Sequence, residues 1–417
     1  MKYWNNILEF VWFLQSWANH IPEIIRDLYI FYRQKRTYKR DVIFVIDSIP
    51  YWYFLKPIIL KTLSTKMNYV TLWCAVSKRN FKYWGSALKV LDELKALVGE
   101  KNVINCRSCN FLRYDVLITP GVAPRIKLGK CIQTFHGFGS FITIFSVDHY
   151  IKHFDCIFLV GPHHEWELKS LVLKNDKSLA KKLFVKVGYP KIDELFNKCY
   201  NRKEILKNAG LNPDRKTVIY APTFSPYMSS LHLMGKEIIE CVLSLNVNLI
   251  VKLHPLSYLK DEPYYTEGID WDKELSLYKK YNNFYLAKEL NSNPLLFVSD
   301  LMISDQSGVG FEFVVALQRA IIFIATPRKK PRNLSGNEVP EGIHVTGQFC
   351  GPVVKNTIEL KIAIEKYLAY PDWYNQERLK LKKMVCFNPG NGADAALEVI
   401  KCILNGKKVP GSLRVSE

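Results

Sequence analysis

The feature that most constrains the fold is a succession of short, β-branched apolar runs with helical patterns between some of them. Val42–Ile46, Tyr69–Cys74, Val103–Cys106, Val116–Thr119, Cys131–Phe135, Cys156–Val160 and Phe184–Val187 make one set. Thr217–Tyr220, Val247–Lys252, Phe284–Leu286, Leu301–Ile303 and Ile321–Ile324 make a second. Runs this short and apolar suit strands buried on both faces, and patterns such as Ala87–Leu97 supply the helical crossovers of a parallel sheet. The Lys-rich, weakly apolar stretch Asn197–Arg215 separates the two sets. The expected fold class is therefore α/β, with two Rossmann-like domains over 41–195 and 196–375. A C-terminal helical segment over 376–417 is expected to pack across them. At 417 residues and 48% hydrophobic content, the chain is long enough to bury cores for both.

Ligands of open parallel sheets bind beyond the carboxyl ends of the strands, so polar motifs at the ends of these runs are where chemistry is expected. Four stand out. The first is Gln133-Thr134-Phe135-His136-Gly137-Phe138-Gly139-Ser140, which sets an imidazole on a glycine-rich turn. Gly137 and Gly139 let the backbone turn sharply toward a ligand. With an ordinary pKa of about 6.5, neutral His136 can take a proton from an acceptor hydroxyl. Alone, His136 reads more readily as a structural loop residue than as a base. The other three motifs favour the base.

In Lys252-Leu253-His254-Pro255, alternation places Lys252 and His254 on one side of the chain and Leu253 on the other. Two groups able to carry positive charge at a strand end suit a diphosphate. In Ser304-Asp305-Gln306-Ser307-Gly308, a strand passes through a small polar loop into a helix, the geometry in which backbone N–H groups and the helix dipole receive phosphate oxygens. Ser307 can add a hydroxyl donor. Glu312, one turn into that helix, either accepts from ribose hydroxyls or serves as a plain first-turn acid. Thr223 of Ala221-Pro222-Thr223 can donate to phosphate. Gly188-Tyr189-Pro190-Lys191 reads as a rigid turn at the domain join or as a further part of the site.

The first 40 residues stand apart. Ile7, Leu8, Val11, Trp12, Leu14, Ile21, Ile24, Ile25, Leu28 and Phe31 recur at helical spacing, and five basic residues fall between Arg33 and Arg40. This amphipathic segment, over residues 1–40, fits either an interfacial helix on an anionic membrane surface or a helical pair packed on the body of the protein. No run approaches the ~20 apolar residues of a membrane span. With no signal peptide, a cytoplasmic site, peripheral on the inner face of the membrane, is expected. The formal charge of +19 draws the chain to polyanions. The clusters Lys174–Lys186 and Arg328–Arg332 lack interleaved stacking aromatics, so nucleic acid is not the expected partner. Ten cysteines show one close pair, Cys106 and Cys109, and no repeated metal-ligand spacing. No metal is expected.

Taken in order, the motifs resemble the CDP-glycerol glycerophosphotransferase family of teichoic acid and capsule synthesis. The matching residues are His136-Gly137 after an apolar strand, then Gly188, Tyr189, Pro190, Lys191 and Asp193, then Ala221 to Phe224. Lys252 to Pro255, Ser304 to Ser307, and Phe387-Asn388-Pro389-Gly390 before a final helix complete the series. The resemblance covers roughly residues 115 to 405. It implies a GT-B arrangement of facing domains, with a CDP-linked donor held mainly by the C-terminal one. It also implies His136 as general base, His254 and Ser307 on the donor diphosphate, and Asp305 shaping their loop. Catalytic roles thus fall to His136 and His254, and substrate contacts to Gly137, Thr223, Lys252, Ser304, Asp305, Ser307 and Glu312.

The implied reaction moves glycerol phosphate, or a related polyol phosphate, from CDP-glycerol to a hydroxyl of a lipid-linked or capsular glycan, releasing CMP. CDP-glycerol is a co-substrate, and no further cofactor is implied. Three positions depart from the family pattern: Phe135 stands for the usual Trp, Phe138-Gly139-Ser140 for a Pro-Leu-Lys, and Gly308 for a second serine. These leave the acceptor and the polyol open. The alternatives are a GT-B nucleotide-sugar glycosyltransferase or epimerase, and a non-catalytic membrane-associated scaffold.

Overall fold

Two parallel sheets organise the chain, and each starts from its middle. A computed structural model describes residues 20–34, 39–77, 87–135, 137–139, 151–173, 176–327 and 347–415. The first sheet contains β1 (Arg40–Ile46), β2 (Val70–Val76), β3 (Val103–Asn105), β4 (Val116–Thr119), β5 (Lys130–Gln133), β6 (Cys156–Leu159) and β7 (Leu183–Lys186), in the order β3-β2-β1-β4-β5-β6-β7. The second contains β8 (Thr217–Tyr220), β9 (Asn248–Val251), β10 (Phe284–Leu286), β11 (Leu301–Ser304), β12 (Ala320–Ile324) and β13 (Val353–Val354), in the order β10-β9-β8-β11-β12-β13. In both, the chain winds outward, returns to the middle and winds the other way. That reversal opens a crevice at the carboxyl ends of β1 and β4, and another at those of β8 and β11.

Alternation along the strands of the second sheet decides what each face buries. Val218, Tyr220, Leu249, Val251, Leu301 and Ile303 pack beneath two helices, α4 (Ser230–Leu243) and α6 (Thr357–Ala369). Ile219, Ile250, Met302, Ile321 and Phe323 face the other way, into a core continuous with that of the first sheet. In the first sheet, every residue of β1 after Arg40 is buried, as a central strand covered on both faces requires. One cover is α2 (Ile49–Ser64), which buries Trp52, Phe54, Leu55, Ile58 and Ile59. Another is α3 (Ala87–Val98), through Val90 and Leu94. The edge strand β13 is missing from the sequence reading because two residues carry no detectable periodicity.

Helix α1 (Ile21–Gln34) lies against the β3 edge. Its Asp27, fully buried, accepts from Asn105 N and Ser108 Oγ, both at 2.7 Å, and Phe31 packs on Trp73 with ring centroids 4.9 Å apart. The opposite stripe, Ile21, Ile25, Tyr29 and Tyr32, is exposed.

The C-terminal segment returns to the first sheet. Phe387 N donates to Val160 O at 2.8 Å, and Asn388 Nδ2 to Lys186 O at 2.6 Å. Asp193 accepts from Gly392 N at 3.1 Å and Ala393 N at 2.8 Å, satisfying the orphan amides that open α8 (Gly392–Leu404). Helix α8 lies on α2, where Lys61 and Asp394 form an ion pair at 2.7 Å. Just before it, α7 (Asn375–Val385) packs on α5 (Gly308–Leu317) of the second sheet.

Candidate active site

The carboxyl ends of the two sheets enclose a cavity of about 670 Å³. From the first sheet it is lined by Ser48 to Tyr51 after β1, Gly137 to Gly139 after β5, and Tyr189 and Lys191 after β7. From the second it receives Ala221 to Phe224 after β8, Lys252 to Leu256 after β9, and Gln306 to Val309 with Glu312 after β11. Of the residues singled out from the sequence, Gly137, Thr223, Lys252, His254, Ser307 and Glu312 therefore share one cavity wall. His136 lies outside the described residues, although its neighbour in sequence, Gly137, lines the cavity.

Lys252 and His254 follow the last residue of β9 directly. Lys252 Nζ donates to Leu253 O at 2.8 Å. Burial, with lesser effects from the nearby Lys191 and Lys288, pushes its pKa down to about 8, against the pull of Glu289. His254 Nδ1 accepts from Leu256 N at 3.2 Å, which leaves Nε2 to carry the proton of the neutral ring. Burial first, then the charges of Lys252 and Lys191, push the His254 pKa down to about 3. Of the two groups able to carry positive charge, Lys252 carries it at neutral pH and His254 does not. His254 is a neutral donor chiefly because it is buried, with the neighbouring lysines adding to the effect.

Helix α5 opens at Ser307, whose side chain does not cap its own helix, so the first amides of α5 face the cavity without a side-chain acceptor from that residue. Ser304 and Asp305, expected to contact substrate, are instead buried beneath the cavity floor. Ser304 Oγ donates to Ala221 O at 2.7 Å. Asp305 accepts from Thr223 N at 2.9 Å and from Ser230 N and Oγ, both at 2.8 Å. Burial raises the Asp305 pKa, and these hydrogen bonds oppose the rise. Its carboxylate ties the loop after β8 to the loop after β11.

Glu312 lines the cavity, but its carboxylate is already engaged. Lys191 Nζ donates to both of its oxygens at 2.7 Å, and Tyr189 OH to Oε1 at 2.9 Å. Rather than standing free for a ribose hydroxyl, Glu312 closes an ion pair reaching from the turn after β7 of the first sheet to α5 of the second.

Residues 167–404 match the profile of the family described as CDP-Glycerol:Poly(glycerophosphate) glycerophosphotransferase. The chain belongs to this family.

Relatives of the chain include the teichoic acid glycerol-phosphate primase of Bacillus subtilis strain 168, 29% identical over 340 residues, which are 74% of this chain and 80% of the primase. The teichoic acid poly(glycerol phosphate) polymerase of Bacillus spizizenii strain W23 is 29% identical over 204 residues, and the match spans 46% of each chain. The chain thus aligns with about half of the polymerase's length. Among solved structures, the wall teichoic acid polymerase TagF superposes with a TM-score of 0.60 at 16% identity, covering 94% of this chain and 98% of that one. A UDP-GlcNAc 2-epimerase from Neisseria meningitidis bound to UDP-GlcNAc superposes at 0.55 with 14% identity, covering 87% and 99%. At these identities the likeness is one of fold, the two-sheet GT-B arrangement.

The sequence leaves Gly188-Tyr189-Pro190-Lys191 open between a rigid turn and a further part of the site, and Tyr189 and Lys191 are not among the site residues expected from it. The available signal was the basic residue at the end of Gly188-Tyr189-Pro190-Lys191, directly after a strand. Phe224, which packs on His254 with ring centroids 4.7 Å apart, was quoted only as part of its motif.

Proposed function

We propose that this chain transfers glycerol phosphate from CDP-glycerol to a hydroxyl of a lipid-linked or polymeric glycan, releasing CMP. The observation that carries this reading is the convergence of Lys252, neutral His254 and the amino end of α5 on one cavity between the two sheets. Phosphoryl transfer needs donors placed where negative charge develops, and these groups supply them from fixed backbone. The domain over 196–375 holds the donor, and that over 41–195 presents the acceptor. The acceptor oxygen attacks the β-phosphorus, the bond to the bridging oxygen breaks, and CMP leaves with the electron pair. His136 takes the hydroxyl proton. His254 Nε2 and Ser307 donate to the diphosphate, Gly137 and Thr223 present backbone and hydroxyl at its edge, and Asp305 and Ser304 hold the loops.

The test is incubation with CDP-glycerol, CDP-ribitol and UDP-sugars while released nucleotide is measured. CMP from CDP-glycerol, dependent on a glycan acceptor, is the expected result. Turnover of UDP-sugars alone would move the chain to the nucleotide-sugar enzymes that share its fold.

The same reading places the enzyme at the inner face of the membrane, where a lipid-linked acceptor resides. Its support is the exposed stripe Ile21, Ile25, Tyr29 and Tyr32 on α1, followed by the basic residues from Arg33 to Arg40. No described helix is long and apolar enough to cross a membrane. Because Asp27 ties α1 to the first sheet, Ile25→Ser with Tyr29→Ser is a better probe than deletion. Reduced binding to anionic liposomes is expected, and unchanged partition would return the helix to a purely structural role.

A further inference from the structure

The turn after β5, part of the cavity wall, is held from behind by two adjacent histidines. After β6, Gly161 caps the short helix Pro162–Glu167, and Pro162 fills its first position. The first turn of that helix carries His163 and His164, with ring centroids 4.1 Å apart. His164 Nδ1 accepts from Val160 N at 3.4 Å. A backbone amide only donates, so Nδ1 offers its lone pair and the ring proton sits on Nε2. His164 Nε2 lies 2.8 Å from Gly139 O, and His163 Nε2 lies 3.2 Å from Phe138 O. Carbonyl oxygens only accept, so the two imidazoles donate to successive carbonyls of one turn.

The hold reaches both ends of the segment that contains His136. Phe135 meets the His164 ring edge-on, with centroids 4.7 Å apart, and Gly139 meets its Nε2. Toward the second sheet, the buried Phe138 packs on Tyr189 with centroids 4.8 Å apart, and Tyr189 OH donates to Glu312. The residues behind the histidines are themselves pinned by the C-terminal segment. Val160 O accepts from Phe387 N at 2.8 Å, and a Cβ on Gly161 would stand 2.0 Å from Val385 O, at the end of α7. A buried carbonyl left without a donor costs about 1–3 kcal/mol, so the turn is favoured in the position that satisfies both imidazoles.

We infer that His164, with His163 beside it, is a positioning residue for transfer: its Nε2–H fixes the turn that carries His136, and so the distance from that base to the acceptor hydroxyl. His164 is fully buried and bonded at both nitrogens, so it touches neither donor nor acceptor. A general base must come within hydrogen-bond reach of the proton it takes, and a misplacement of about 1 Å can cost about 100-fold in rate. The inference rests on the assignment of His136 as base in the reaction proposed above, and it adds the device that aims that base.

The experiment uses two substitutions that each keep one of the ring nitrogens. In His164→Gln the side-chain amide reaches as far as Nε2 and still donates to Gly139 O, whereas in His164→Asn it reaches only as far as Nδ1 and that bond is lost. Amide hydrogen exchange over the peptide from Phe135 to Gly139 reads the turn, and CMP release from CDP-glycerol with a glycan acceptor reads the reaction. In His164→Asn, exchange should quicken about tenfold and kcat should fall about 100-fold. The KM for CDP-glycerol and the thermal stabilisation conferred by CDP should not change. His164→Gln should return exchange to the wild-type rate and recover about tenfold of the lost kcat. Half-buried His163 gives a milder probe of the same turn, and His163→Ala should lower kcat about tenfold. Wild-type kcat in both His164→Asn and His163→Ala, or equal losses in His164→Gln and His164→Asn, overturns the inference. Exchange keeps its failure distinct from that of the reaction. Normal CMP release with exchange unchanged in every variant removes the positioning role alone. Faster exchange in His164→Asn, reversed in His164→Gln, in a chain that releases no CMP removes the reaction and leaves the hold on the turn.

Discussion

Lys191 and Glu312 meet across the cavity, with Lys191 Nζ 2.7 Å from both carboxylate oxygens, one residue from the end of the first sheet and one from the second. The Glu312 side chain is 7% exposed, so removing its partner strands a carboxylate in a poorly solvated place. Lys191→Ala should therefore destabilise the chain by about 3 kcal/mol, as for other broken buried pairs. Lys191→Met with Glu312→Leu, which removes both charges and keeps the volume, should cost far less. Urea denaturation of the three variants checks the ordering. If the single and double variants unfold alike, the pair does not hold the sheets together.

The lowered pKa of Lys252, about 8, makes donor binding pH-dependent in a defined direction. Below pH 8 the lysine is already charged before the donor binds, and this group adds no pH dependence. Above pH 8 it is neutral, whereas a bound diphosphate favours the ammonium, so binding must take up a proton. CDP affinity should then fall as pH rises past 8, by up to about tenfold per pH unit. Calorimetry in two buffers of different ionisation enthalpy should find proton uptake at pH 9 and little at pH 7. Lys252→Met should abolish the difference. Uptake that persists in that variant would assign the proton elsewhere.

Both of these groups mark the limit of what the sequence makes legible. The strands were readable because each is a short apolar run ending in a polar turn, and the ends of those runs put Thr223, Lys252, His254 and Ser307 on one cavity. What a side chain does at the end of a strand depends on the sheet opposite. Glu312 reads as a ribose acceptor or a helix-start acid until Lys191 reaches it from the turn after β7, and His254 reads as a group able to carry charge until burial, with the nearby lysines, lowers its pKa. Asp305 carries the same loop motif as Ser307, yet it points inward to Thr223 and Ser230. Among the strands of the described residues, β13, two residues long, left no trace in the sequence.

His136 carries the proposed base function and sits beside cavity-lining Gly137 in sequence. Removing a general base leaves the donor site built by the second sheet untouched. His136→Ala should reduce CMP release in the presence of acceptor by about 100-fold or more. The thermal stabilisation that CDP confers should be retained. Near-normal turnover would remove the assignment, and loss of both properties together would place His136 in the donor site.

The docking of the C-terminal segment on the first sheet hangs on Gly188. Its φ is +96°, a conformation that residues with a side chain rarely adopt, and a Cβ there would collide with the carbonyl oxygen of Phe387. Gly99 offers a matched control, because its φ is +87° and a Cβ there would meet nothing within 4 Å. Gly99→Ala therefore reports the backbone cost alone, about 2 kcal/mol, because its ψ of 142° lies outside the left-handed helical region. Gly188→Ala adds the collision, and about 3 kcal/mol in total is expected from strain and lost packing. The collision also pushes Phe387 away from Val160, to which its amide donates, and Asn388 away from Lys186. Proteolysis near residues 387 to 391 should accelerate in Gly188→Ala and stay at the wild-type rate in Gly99→Ala. Equal thermal shifts in the two variants would mean that the segment yields without cost, and that α8 is held to α2 by its own apolar face rather than by this junction.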